Sequence, residues 1–378
     1  MPWAMTACFA ILMVTGHSLL YLSPFGQNLE KYQTEAWFRV RGSVAPSPKV
    51  IMITVDEATY QQLAFSYMKP ISRSGIARIL NALADSRAEL SILDFFFRDE
   101  GEDPSMNTAL ALALGRLPTF IGSFSFNDPD KPADSSRVEV APRAEFSRQA
   151  ERVVSMDIIE DPKVRAFSLH ENPGGYATLA SAYASREPRK ELPGPNDLIN
   201  FYGPPGAIPR ISGATLVTNS PAENERLFRD KVVIVGHALP VGATFSAKDT
   251  FRVPTSSEAC FGVEVHATVI SNIYDHNWIH RFALPVELPI LNMWLAALCV
   301  IVMRVPSLVT VLVITGSMVG WMVLAYAGFV NHVFIPGMCV VTIMLPLALL
   351  VGISVKLRYL RAQYVKIQEM LGISAPES

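Results

Sequence analysis

The sequence predicts an α/β domain with a mostly parallel sheet, carried on four transmembrane helices, one before the domain and three after it. Two observations predict this. First, charge is confined: of 378 residues, 1–23 carry no Asp, Glu, Lys or Arg, and 284–355 carry only Glu287 and Arg304. That leaves six charges in 356–378 and 58 in 24–283. Second, within this charged middle, β-branched apolar runs alternate with segments of helical period, the pattern of strands joined by crossover helices.

Composition agrees. Half of the residues are hydrophobic and 17% are charged, against about 25% in soluble proteins. Lys and Arg number 32 and Asp and Glu 34, so no basic excess advertises nucleic acid, and none is expected as a partner. Residues 24–283 exceed a modal domain of about 100–150 residues and can bury a core. Cys8, Cys299 and Cys339 lie in apolar runs, leaving Cys260 alone in the middle. No disulfide forms within the domain on this reading, and no Cys-x-x-Cys motif exists; the four thiols read as small hydrophobes.

The first crossing is residues 2–22, near the ~20 residues that a hydrocarbon core demands. Its uncharged start and the absence of Ala-x-Ala before Pro24 make 1–23 a retained anchor rather than a cleaved signal. Three more crossings, 284–303, 308–329 and 333–355, fill 284–355. The turn Arg304-Val305-Pro306-Ser307 carries a cation and the last crossing ends in Lys356, Arg358 and Arg361, whereas Val330-Asn331-His332 has no Lys or Arg. The positive-inside rule then places that first turn and the tail 356–378 in the cytoplasm, 24–283 outside, and both termini inside. His17, Glu287 and Arg304 sit near segment ends and read as snorkelling groups, not a transport path.

Apolar residues between Phe25 and Val40 recur at steps of three and four, so 27–41 reads as a helical stalk. After Ala45-Pro46-Ser47-Pro48, the run Val50 to Val55 is a buried strand that ends in Asp56-Glu57. Residues 72–87 form a helix and 90–97 a second strand containing Asp94, a β-α-β unit with parallel pairing. The same logic gives helices at 105–116, 176–185 and 262–274, and strands at 119–124, 198–201 and 232–236. Residues 127–169 show no clear period and read as an insertion or long loop.

No P-loop, His-Glu-x-x-His, Gly-x-Ser-x-Gly or dinucleotide fingerprint is present, and no cofactor is expected. Gly203-Pro204-Pro205-Gly206 is too proline-rich to cradle a phosphate and reads as a turn. Glu264 and His266, with His237, His276 and His280, could meet Asp56, Glu57, Asp94 or Asp249 at a metal. But residues two apart on a helix face different ways, and no metal is expected. The carboxylates Asp56, Glu57 and Asp94 at strand ends are the better signal, because ligands of open α/β sheets bind at that edge. Helix and turn capping is the competing explanation.

Several stretches together resemble the type-two CHASE domain, the cyclase- and histidine-kinase-associated extracellular sensor of bacteria. They are Val50 to Glu57, residues 73–83, residues 88–97, Asn200-Phe201-Tyr202-Gly203-Pro204, Lys231 to Gly236, and Gly262-Val263-Glu264-Val265-His266-Ala267. They follow the family's order over roughly residues 26–282. The resemblance implies a multi-pass protein of the bacterial inner membrane, with one helix before the sensor and three after it. A cytoplasmic cyclase or kinase commonly follows, yet here only about 20 residues follow Val355, which reads as a sensor without its effector. The resemblance carries no ligand onto residues. The matched positions Asp56, Asp94, Gly236, Glu264 and His266, with Glu57, form the candidate ligand-binding set, and folding alone is the alternative for each.

In the tail, Ile353, Leu357, Leu360, Tyr364, Ile367 and Leu371 are spaced as an a/d seam that continues the last crossing. A homodimer is expected; a short helix lying on the membrane or docking a partner is the alternative. The functional expectation is a non-enzymatic sensor. It detects an unknown exterior ligand and passes the signal to a separate or missing cyclase or kinase. The alternative is a membrane-anchored scaffold that binds envelope partners. An enzyme using Asp56, Glu57 or Asp94 with His266 as acid and base stands third.

Overall fold

The computed structural model describes residues 2–99, 103–127, 137–169, 175–186, 191–239 and 249–371. The chain divides into two compact units, Met1–Val40 with Arg281–Ser378, and Arg41–His280.

In the second unit, strands β1 (Val50–Val55) and β2 (Leu90–Leu93) are buried at every position, as continuous apolar runs in a covered sheet should be. With them stand β3 (Thr119–Asn127), β4 (Arg137–Val140), β5 (Arg152–Ser155), β6 (Arg210–Ser212) and β7 (Val232–His237). The seven strands run in the order β4-β3-β2-β7-β1-β6, with β5 also on β3. Every pairing is parallel except β3 with β4. The β-α-β unit has the expected parallel sense, but its strands are not neighbours. β7 lies between them, Val235 opposite Ile53 and Ile234 opposite Ile92. Its Val-Val-Ile-Val run takes the centre, where both faces are covered.

The helices start where their caps allow. Ser72 accepts the Gly75 N–H ahead of helix Arg73–Asp85, and Asp103 accepts the Ser105 N–H ahead of Pro104–Leu114. Their apolar faces join Ile53, Val55, Val233 and Val235 in one core. A separate antiparallel pair, β8 (Thr250–Arg252) and β9 (Ala259–Phe261), leads into helix Gly262–Asp275, which His276 ends in the left-handed region (φ 51°).

Three expectations are corrected. The second strand stops at Leu93 rather than 97. Asp94 still donates its N–H to the Val235 carbonyl (2.9 Å), after which Phe95 and Phe97 turn into the core. Residues 198–201 form no strand, only isolated bridges at Leu198. The Asn272 side chain takes the partner's place, accepting the Asn200 N–H at 2.7 Å and donating to its carbonyl at 3.1 Å. The stretch 127–169 is not merely a loop. It supplies β4, β5 and a short helix, Ala144–Ser147, elements of four residues that carry too little periodicity to read. Residues 128–136 lie outside the described residues.

Among the described residues the first unit has four helices long and apolar enough to cross a membrane: Trp3–Leu22, Leu284–Arg304, Ser307–Val330 and Val340–Met370. The last does not start at 333, because Pro336-Gly337 interrupts the run; it opens in a π-turn, Val340–Met344, and continues as Leu345–Met370. Phe9, Met13, Leu295, Val302, Met344 and Ala348 share its core. Of the polar groups expected to snorkel, His17 and Glu287 are instead paired inside, and Arg304 is half-buried against an exposed ring. His17 Nδ1 stands 2.7 Å from Asn292 Oδ1, and Glu287 accepts from the Tyr21 hydroxyl (2.9 Å) and from Arg281 (3.0 Å). The Arg304 guanidinium lies 3.4 Å over the Trp3 ring.

Candidate functional site

The parallel strands bring several candidate residues to their C-terminal edge, but not to one point. Asp56 caps helix Glu57–Gln62. It accepts from Thr59 (N–H 3.0 Å, hydroxyl 2.8 Å), Ser212 (2.7 Å) and Thr54 (3.2 Å). Burial would raise its pKa, but these hydrogen bonds from Ser212, Thr59 and Thr54 outweigh it and hold Asp56 below the usual carboxylate range. Glu57 is exposed and accepts from Gln61 (3.1 Å).

Glu264 is buried and turned toward the loop that begins at Gly203. It accepts the Gly206 N–H with both oxygens (2.7 and 2.9 Å) and the Ile208 N–H at 3.5 Å. Gly206 sits at φ 96°, a conformation that only glycine adopts freely. Glu264→Ala leaves these N–H groups unpaired and should cost about 1–3 kcal/mol. Glu264→Gln, which keeps an acceptor, should cost less; equal thermal midpoints for the two variants would contradict the clamp.

Asp94 and His266 do meet. Their carboxylate and Nε2 lie 4.0 Å apart, nearly out of solvent. Gly236 makes the approach possible, since a Cβ there would fall 2.7 Å from Val263 Cβ and 3.2 Å from Asp94 Cβ. Asp249, weighed in the sequence only as a metal ligand, belongs to the same cluster. Burial and the neighbouring Asp94 charge push it up to about 8. Burial raises Asp94 as well, against the pull of His266. His266 is lowered by burial, opposed by Asp94, a hydrogen bond with the Met156 backbone, and Asp157.

A cavity of about 20 Å³, the size of one water, lies against His266 and is lined also by Ser155, Asp157, Ser168, Ile158 and Val265. Such a cluster can hold a proton, because burial raises both of its carboxyls, Asp249 to about 8. Among the described residues no three His, Cys, Asp or Glu side chains are grouped to hold a metal ion. His237 instead packs against Phe95 (4.9 Å), burial lowering it to about 4, and His280 pairs with Asp197 (3.3 Å).

A family model described as the CHASE2 domain matches residues 7–306. No curated protein and no solved structure matches the chain.

Proposed function

Because the chain belongs to the CHASE2 family, a family of extracellular sensory domains, we propose that residues 24–283 detect an exterior stimulus and signal through the membrane helices to a cyclase or kinase. On this reading the membrane is the bacterial inner membrane with both termini cytoplasmic, an orientation that the cations of the Arg304 turn and of the tail support.

One observation supports this reading above the others. The last membrane helix continues without a break into the tail, Leu345–Met370, and Leu357, Leu360, Tyr364 and Ile367 are 48–61% exposed along it. An apolar stripe left in water calls for a partner, and a parallel second copy suits its heptad spacing. A movement at the outer end of such a helix reaches the tail as one body. The candidate ligand-binding set is Asp94, His266 and Gly236, joined by Asp249, a buried cluster with room for one water beside it; Asp56 and Glu264 are taken up in holding neighbouring segments, and Glu57 is exposed. A ligand shifts the equilibrium only through its different affinity for the two states.

The test is cysteine crosslinking in native membranes of a cysteine-free variant. Leu357→Cys, Leu360→Cys and Tyr364→Cys should crosslink strongly, and Arg358→Cys and Arg361→Cys weakly. Equal yields at all five positions, or none, would remove the dimeric seam.

A further inference from the structure

The helix that leads from the first crossing, Pro24–Arg41, buries polar residues as well as apolar ones. Glu30 and Gln33 are 2% and 0% exposed. Both reach the start of the fourth membrane helix, three hundred residues away in sequence. Glu30 accepts the N–H groups of Gly337 (3.0 Å), Met338 (3.4 Å) and Cys339 (2.9 Å). Gln33 accepts from the Met338 N–H (3.0 Å) and donates to the Ile335 carbonyl (2.7 Å). The first N–H groups of a helix have no partner within it, and a carboxylate is favoured there by the helix dipole. Cys339, at the start of the π-turn, offers no side-chain cap of its own. The cap comes entirely from the other helix.

We infer that Glu30 and Gln33 form a clamp through which helix Pro24–Arg41 sets the position of the fourth membrane helix; this rests on the reading that the tail is the output. The aromatic contacts of the same helix, Trp37 to Tyr326 (5.3 Å) and Phe38 to Phe329 (5.0 Å), hold it against the third crossing but allow sliding. Hydrogen bonds to three successive N–H groups do not, because they are directional. A turn of helix Pro24–Arg41 must therefore carry the fourth helix with it or release it.

The π-turn Val340–Met344 follows the clamp directly. Converting a π-turn to α-helix shifts the register by one residue, which turns everything beyond it by about 100°. The seam in the tail would then face a new direction. Arg41, the last residue of the clamping helix, is itself tied into the domain that follows, donating to Asn200 Oδ1 (2.5 Å) and to the Phe201 carbonyl.

The test uses the full chain, cysteine-free, in native membranes. One alanine inserted between the exposed residues Arg39 and Val40 imposes a twist from the domain side. Two readouts follow it: maleimide labelling rate at Leu360→Cys, which needs no dimer, and crosslinking yield at Leu357→Cys. With the clamp intact, the insertion should change the labelling rate several-fold; with Glu30→Ala and Gln33→Ala it should not. Glu30→Gln, which keeps one acceptor oxygen, should retain part of the response, and it replaces the double variant if that fails to accumulate. The same response in both backgrounds, or no response with the clamp intact, overturns the inference. Clamp-dependent labelling without crosslinking would remove the dimer and leave the clamp; strong crosslinking with clamp-independent labelling would do the reverse.

Discussion

Raising the pH from 6.5 to 8 should lower the thermal midpoint of the domain in the full-length protein, by about 2–4 °C for each kcal/mol lost in a domain of this size. The group responsible is Asp249, pushed up to about 8 by burial and by Asp94. In the unfolded chain it titrates near 4. Between those values the folded state holds a proton that the unfolded state lacks, so stability falls as pH rises and levels off above 8. Asp94, also raised, acts with the same sign. His266 and His237 are lowered by burial and act with the opposite sign, an effect that fades by about pH 7.5 as the unfolded imidazole loses its charge. Asp249 therefore outweighs the histidines across the window from 6.5 to 8, and above about 7.5 it acts unopposed by them. Asp249→Asn, a neutral isostere, should remove most of the slope. A flat or rising midpoint for the native protein, or an unchanged slope in the variant, would contradict the assignment.

The central strands were legible because a covered parallel sheet leaves an apolar signal on both faces of each strand, as in Val50 to Val55 and Val232 to Val235. Their neighbours were less so. Nothing local in Leu90–Leu93 says that β7, more than a hundred residues on, will lie beside it. Leu198 to Phe201 looks like a strand to any local reading, and only the distant Asn272 shows why none forms. Within the site, Asp94, Gly236 and His266 lay in recognisable stretches. Asp249 lay in none, and its character as a buried acid depends entirely on tertiary closure around Asp94. Asp56 was visible as an acid at a strand end, and its cap on the Thr59 N–H is local; what the sequence did not show is the hydrogen bond from Ser212, which comes from β6. Glu30 was on the expected stalk, but a charged residue of helical period reads as solvated until its partners at Gly337 and Cys339 are seen.

Gly236→Ala should cost about 3 kcal/mol, the upper part of the range for overpacking a core, and Gly236→Val little more. The offending atom is the Cβ itself, since it would meet Val263 Cβ at 2.7 Å, Val263 Cγ2 at 2.9 Å and Asp94 Cβ at 3.2 Å. None of these is the free end of a flexible side chain. Gly236 is paired with Thr54 in the middle of the sheet, so the strand cannot move aside, and helix Gly262–Asp275 must lift instead. That helix carries His266, so the 4.0 Å approach to Asp94 opens as stability is lost. A second substitution separates this account from general intolerance of a central strand. Val263→Ala should rescue little, because it keeps the Cβ that clashes. Val263→Gly removes that atom and should recover much of the loss, less about 1 kcal/mol for glycine in a helix. Measured as thermal midpoints, rescue by alanine equal to rescue by glycine would mean that the contact is not the one that matters.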